Sequence, residues 1–102
     1  MSIVYLLVNT LNHYKVGITS KSIEKRMAQL MTGNSEHLNV VATYNTENAL
    51  ALEKMLHHYY ASKRIEREWF MLTDTDVKSF IETCQKLESK IILLKEQNPY
   101  FK

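Results

Sequence analysis

Residues 3–26 read Ile3-Val4-Tyr5-Leu6-Leu7-Val8-Asn9-Thr10-Leu11-Asn12-His13-Tyr14-Lys15-Val16-Gly17-Ile18-Thr19-Ser20-Lys21-Ser22-Ile23-Glu24-Lys25-Arg26. Runs of β-branched and aromatic residues at 3–8 and 14–19 predict two strands. The linking segment holds Asn9 and Asn12, and asparagine tolerates the positive φ that a tight hairpin requires. A hairpin pivoting near Leu11 sets Tyr5 opposite Gly17, with Lys15 diagonal to Tyr5 on the same face. Val4, Leu6, Val8, Val16 and Ile18 take the other face, which is core. A tyrosine, a lysine and a glycine therefore share one side of a hairpin whose other side is apolar, and that side reads as a site.

Working outward, a length of 102 residues predicts a single domain spanning 1–102, with a modest core of its own. A net charge of +2 permits a nucleic-acid partner without arguing for one. The single cysteine, Cys84, cannot form an internal disulfide, which fits a reducing compartment. No apolar run reaches membrane-span length, and Met1-Ser2 leads directly into a strand, so neither membrane association nor a leader is expected. Two glycines and one proline leave no room for a flexible linker.

After the hairpin, Ser20 or Ser22 caps a helix expected to reach about Thr32 and to stop at Gly33. Ile23, Met27, Leu30 and Met31 form its inward stripe. Gly33-Asn34-Ser35 reads as a loop, and residues 38–44 as a third strand. Asn45 or Thr46 is expected to cap a second helix through about Lys63, with Ala49, Leu52, Leu56, Tyr59 and Tyr60 inward. Residues 63–68 form a charged connector, and Trp69-Phe70-Met71-Leu72 returns the chain to the core as a short strand. Thr73 and Asp76 fit a capping box for a final packing helix within 73–97. Val77, Phe80, Ile81, Cys84, Leu87, Ile91 and Leu94 keep helical period along it. The tail, residues 98–102, either docks its aromatics or hangs free. The expected class is α/β (α+β), a small antiparallel three-stranded sheet flanked by helices, in the order β-β-α-β-α-(β)-α.

Two charges break the inward helical stripes. Arg26 lies between Ile23 and Leu30, and Glu53 lies between Ala49 and Leu56. Arginine can snorkel, but a buried carboxylate is costly without a cationic partner. An ion pair between the two helices satisfies both charges, and so does a functional site. His57, one turn after Glu53, shares its face. With Tyr5 and Lys15, these are the polar exceptions in a regular pattern, where function is expected.

These residues resemble the GIY-YIG nuclease superfamily. Ile3-Val4-Tyr5 stands for its first motif, with Ile3 in place of the glycine. Lys15-Val16-Gly17 stands for the second, with Lys15 where many members have tyrosine and Tyr14 adjacent. Arg26 and Glu53 match the helix arginine and the helix glutamate. The likeness covers residues 3–72 and is closest to a phage and bacterial branch. There the pattern is Lys15-Val16-Gly17-Ile18-Thr19, then Leu52-Glu53 with Leu56-His57 and Tyr60, then Glu68-Trp69-Phe70. Each motif is weak alone; their order and spacing are strong. Glu68 lies near the place of an asparagine that many members carry.

The resemblance implies a metal-dependent DNA endonuclease in the cytoplasm of a bacterial or phage-infected cell. One Mg2+ or Mn2+ ion per site would be held by Glu53, since magnesium takes few protein carboxylates and fills its shell with water and phosphate. Tyr5, Tyr14, Lys15, Arg26 and His57 become catalytic candidates, with Arg26 on the phosphate and Tyr5 as the base. Lys15 would favour the Tyr5 phenolate, and Gly17 opposite Tyr5 would leave room for the phosphate. Gly17, Glu68 and Trp69 are motif residues of structural role, with a helix cap or ion pair open for Glu68. His13, His37 and His58 read as surface residues, and Cys84 as a small core residue. Lys21, Lys25, Lys63, Arg64 and Arg67 are the expected DNA contacts. With no second domain to read base sequence, specificity is expected to be low, or lent by DNA structure, a partner protein or a second copy of the chain.

Three rivals remain open on sequence. The same fold can serve as a weakly active or inactive nucleic-acid-binding module. Residues 20–27 resemble the recognition helix of a helix-turn-helix, but they follow a strand where that motif needs a helix. The long last helix can instead support a protein-interaction role, which predicts no salt-dependent DNA affinity.

Overall fold

The computed structural model describes residues 1–32 and 37–97. Strand β1 (Ser2–Val8) pairs antiparallel with β2 (Tyr14–Thr19), and Tyr5 faces Gly17 as expected. The connecting turn uses both asparagines. Asn9 Oδ1 accepts from the backbone N–H groups of Leu11 and His13 at 3.0 and 2.9 Å, and Asn12 takes a φ of 60°. Helix α1 (Ile23–Met31) starts at Ser22, whose hydroxyl accepts from the Lys25 N–H. The expected stop at Gly33 and the loop through Ser35 lie outside the described residues, as does the tail 98–102.

Strand β3 (Asn39–Thr46) pairs with β1, and helix α2 (Ala49–Tyr59) follows. The cap of α2 is Asn48, later than either expected candidate, because β3 runs on to Thr46 opposite Ser2. The helix also ends earlier than expected, passing at Ala61–Lys63 into one 3-10 turn. Strands β4 (Arg64–Glu66) and β5 (Trp69–Phe70) come next, then helices α3 (Asp74–Lys78) and α4 (Phe80–Gln97). The Thr73–Asp76 capping box is present at the start of α3. One long final helix was expected, but the chain bends at Ser79. Its hydroxyl donates to the Thr75 carbonyl at 2.8 Å, a side-chain bond of the kind that bends helices.

The expected three-stranded sheet is wrong. The sheet is antiparallel with five strands in the order β3-β1-β2-β5-β4. Arg64-Ile65-Glu66 read as a connector because all three side chains are exposed, so the strand has no apolar face to reveal its period. Edge strands of this charged kind resist unwanted pairing.

Alternation along β1 and β2 splits the interior in two. Val4, Leu6 and Val16 meet α2 and α4 in the larger core with Leu52, Leu56, Phe70, Phe80, Cys84, Leu87 and Ile91. Tyr5 and Leu7 face the other way and are covered by Ile23, Met27, Leu30 and Met31 of α1, with Trp69 and Leu38. Helices α1 and α2 thus lie on opposite faces of the sheet. Among the described residues no helix is long and apolar enough to cross a membrane.

Candidate active site

Strand β5 covers only part of β2. It pairs with Tyr14 and Lys15, and its chain enters from the Arg67-Glu68 turn of the β4–β5 hairpin. Val16 therefore points its outward N–H and C=O at the spot where the ladder ends. The N–H donates to the Glu68 carbonyl at 3.2 Å, and the C=O lies 3.0 Å from His57 Nε2. His57 stands where the next strand N–H would be. Its ring also packs edge-on against Phe70, with centroids 5.3 Å apart.

Four elements and the β4–β5 turn contribute side chains at this break. From β1, the Tyr5 ring lies across Gly17. A Cβ on Gly17 would stand 2.4 Å from the phenol oxygen, so the missing side chain makes room for Tyr5 itself. That differs from the expected room for a phosphate. From α1, Arg26 Nε donates to Tyr5 Oη at 3.2 Å. From β2, Lys15 Nζ sits 3.5 Å from Glu68 Oε2 and 5.8 Å above the Trp69 ring. From α2 come Glu53 and His57, and one ligating atom from each of Glu53, His57 and Glu68 lies within 4.8 Å of the others. Arg26 and Glu53 thus reach one place from opposite faces of the sheet.

A family model described as T5orf172 domain matches residues 2–85. The chain belongs to the T5orf172 domain family. That domain occurs in phage and bacterial nuclease-like proteins. No curated protein and no solved structure matches the chain.

In this T5orf172 domain the charges are unevenly satisfied. Tyr5 is 1% exposed, and burial raises its phenol above the ordinary range. Arg26 opposes that rise, while Glu68 and Glu53 add to it. The cation at the phenol is Arg26; the Lys15 ammonium, expected there, is turned to Glu68. Burial also raises Glu53; His57, Lys15 and Lys54 pull it down, and Glu68 pushes it up. Two carboxylates this close repel unless a cation stands between them, so the donor set fits a divalent ion. An Arg26–Glu53 ion pair does not form among the described residues.

The other expected site residues are spread more widely. Tyr14 packs against the larger core, on the face of β2 away from Lys15. Lys21 and Lys25 are exposed near Arg26, and Arg67 is exposed beside Glu68. Arg64 lies over the Phe70 ring at 5.3 Å. The Lys63 ammonium is bound to Asp76. Lys54 and His58, a step further round α2, line a separate cleft with Tyr59, Leu87 and Lys90.

The ion-pair role left open for Glu68 is the one it takes, with Lys15 as partner, and its place beside Glu53 and His57 was not foreseen. Its signal was the Glu68-Trp69-Phe70 run itself. With Trp69 and Phe70 fixed as a strand beside Lys15, the residue before them must lie next to Val16.

Proposed function

We propose that this domain is a metal-dependent DNA endonuclease of GIY-YIG type with low sequence specificity of its own. The observation that carries the reading is the meeting of Tyr5, Lys15, Arg26, Glu53, His57 and Glu68 at one break in the sheet, delivered by four separate elements and the hairpin turn. Structural ion pairs need two groups; this cluster mixes a phenol, two cations, two carboxylates and an imidazole. Mixtures of perturbed titratable groups mark reactive sites.

Arg26 spends only Nε on Tyr5, which leaves its terminal nitrogens to donate to the non-bridging oxygens of a phosphodiester. The same guanidinium steadies negative charge on the Tyr5 oxygen. Tyr5 takes the proton of the attacking water as that water adds to phosphorus. The bond from phosphorus to the 3′ oxygen breaks, leaving a 5′-phosphate and a 3′ oxyanion that takes a proton from solvent water to become the 3′-hydroxyl. Glu53 would hold a divalent cation, which when bound would supply Lewis acidity toward the departing oxygen. Lys21 and Lys25 on one flank and Arg67 on the other contact the DNA backbone, which positions without reading sequence.

The test is a supercoiled plasmid incubated with Mg2+ or Mn2+. Wild-type protein nicks it, and Glu53→Ala and Arg26→Ala each lose at least a hundredfold in rate. DNA binding without cleavage in either metal would replace the reading by a binding module of the same fold. Undiminished nicking by both variants would overturn the assignment of the site.

A further inference from the structure

We propose that Glu53, His57 and Glu68 together form a three-donor site that selects a transition-metal dication of the Mn2+, Co2+ or Zn2+ class over Mg2+. The inference rests on the reading above in placing an ion beside Glu53. It goes further in naming two more ligands and the class of ion.

Geometry is the first argument. One ring nitrogen of His57 and one carboxylate oxygen from each of Glu53 and Glu68 already lie within 4.8 Å of one another. Donors at about 2.1 Å from one ion stand about 3–4 Å apart, so small side-chain rotations close the site. Glu53 and His57 are one turn apart on α2 and share a face without rearrangement. Glu68 sits on the hairpin turn with 44% of its side chain exposed, and its present partner is the Lys15 ammonium at 3.5 Å. That ammonium occupies a position a dication would compete for, and Lys15 can turn toward a phosphate when displaced.

The second argument is independent and concerns the imidazole. A backbone carbonyl only accepts hydrogen bonds, so the 3.0 Å contact with Val16 O makes His57 Nε2 the donor. The lone pair of neutral His57 is then on Nδ1. A histidine whose far nitrogen is tied to a carbonyl is the usual arrangement of a metal-binding imidazole, because the carbonyl fixes tautomer and ring orientation. Here the carbonyl is held in turn by the sheet. An imidazole among the ligands shifts preference from magnesium, which favours oxygen donors, toward borderline transition ions. Three protein donors leave open positions for water and a phosphate oxygen.

The test is calorimetric titration of the full chain with MnCl2, ZnCl2 and MgCl2 in the absence of DNA. Wild-type protein is expected to bind Mn2+ and Zn2+ at least tenfold more tightly than Mg2+. Glu68→Gln and His57→Gln each weaken Mn2+ binding at least tenfold; the glutamine amide can still donate to Val16 O, so the helix stays placed. Nitrogen-15 spectra of the wild-type imidazole give a readout that needs no variant. The proton is on Nε2 before Zn2+ is added, and the Nδ1 signal moves afterwards. Mn2+ binding that depends on Glu53 alone, equal affinity for Mg2+, or Zn2+ on Nε2 would overturn the three-donor site while leaving the nuclease reading intact. Tight three-donor binding with no plasmid nicking in any metal would support the site and sink the nuclease reading.

Discussion

Gly17→Ala adds one methyl group at the most crowded point of the site. Its Cβ would stand 2.4, 2.6 and 2.8 Å from Oη, Cζ and Cε1 of Tyr5. Carbon atoms in contact sit about 3.5–4.0 Å apart, so the ring must retreat by about 1 Å. It has little space to do so, because Tyr5 is buried among Ile23, Met27 and Trp69. Overpacking of this kind costs about 1–3 kcal/mol. The φ of Gly17 lies outside the left-handed region, so alanine brings no backbone strain, and a stiffer unfolded chain returns about 0.4–1 kcal/mol. The expected net loss is about 1–2 kcal/mol, or roughly 5–15 °C in Tm for a chain of this size. Urea and thermal unfolding measure it. The decisive control repeats Gly17→Ala in a Tyr5→Leu background, where the crowding atoms are gone. There the alanine is expected to be neutral or stabilising, a coupling of about 1–2 kcal/mol between the two positions. Equal losses in both backgrounds, or no loss in either, would refute the claim that this glycine exists to seat the phenol.

Arg67 holds a φ of 49°, a left-handed conformation that costs a non-glycine residue about 1–2 kcal/mol. Arg67→Gly is expected to raise stability by about 1 kcal/mol in urea unfolding while weakening DNA binding in a low-salt shift assay. Glu88 accepts from Tyr44 at 2.7 Å, from Thr46 and from Asn48. Burial alone would raise its carboxyl, but those hydrogen bonds and the Lys95 charge outweigh it and hold the group below its ordinary 4.5. The folded-state value is the lower one, so the stabilisation is full above pH 4.5 and fades as pH falls through the depressed value. Glu88→Gln should therefore cost about 1–3 kcal/mol at pH 7, with the gap to wild type closing in acid melts. If Tyr5 is the base it acts as the phenolate, and burial raises its phenol above the ordinary 10.0, so the active fraction grows with pH through the neutral range. Nicking rates in saturating metal should climb about tenfold per pH unit from pH 7 to 9, and a flat profile would remove Tyr5 as the base.

Periodicity made the larger elements legible. The hairpin register, the stripe of α1 and the inward residues Phe80, Cys84, Leu87 and Ile91 followed from which positions repeat every two or every 3.6 residues, whereas Tyr59, Ile81 and Leu94, expected inward, are exposed. The pattern failed where packing does not write one. Arg64-Ile65-Glu66 pair at an exposed edge with no buried face, so their strand left no apolar period in side-chain type. The bend at Ser79 depends on one hydroxyl choosing a carbonyl over solvent, which no run of apolar residues reports. In the site, interruption of an apolar stripe singled out Arg26 and Glu53, and alternation placed Tyr5 with Lys15. Partners were another matter. That Lys15 meets Glu68 follows from where β5 stops, and that Arg26 meets Tyr5 follows from how α1 docks on β1; sequence spacing resolves neither.

That stopping point also explains why such different side chains can gather. A longer β5 would cover Val16 O with a strand N–H and leave His57 nothing to bind. Helix α2 packs on the face opposite α1, and a continuous sheet would wall off Glu53 from Arg26. Because the ladder ends after Lys15, α2 reaches past the strand edge, and Gly17 lets the Tyr5 phenol reach the same gap from the other face. The Arg67-Glu68 turn fills the remaining side, and the left-handed Arg67 keeps it tight enough for Glu68 to close on Val16 N–H. A sheet edge left bare would invite pairing with another chain. Here the unpaired backbone is taken up by an imidazole, which turns a structural liability into a fixed orientation for the His57 ring.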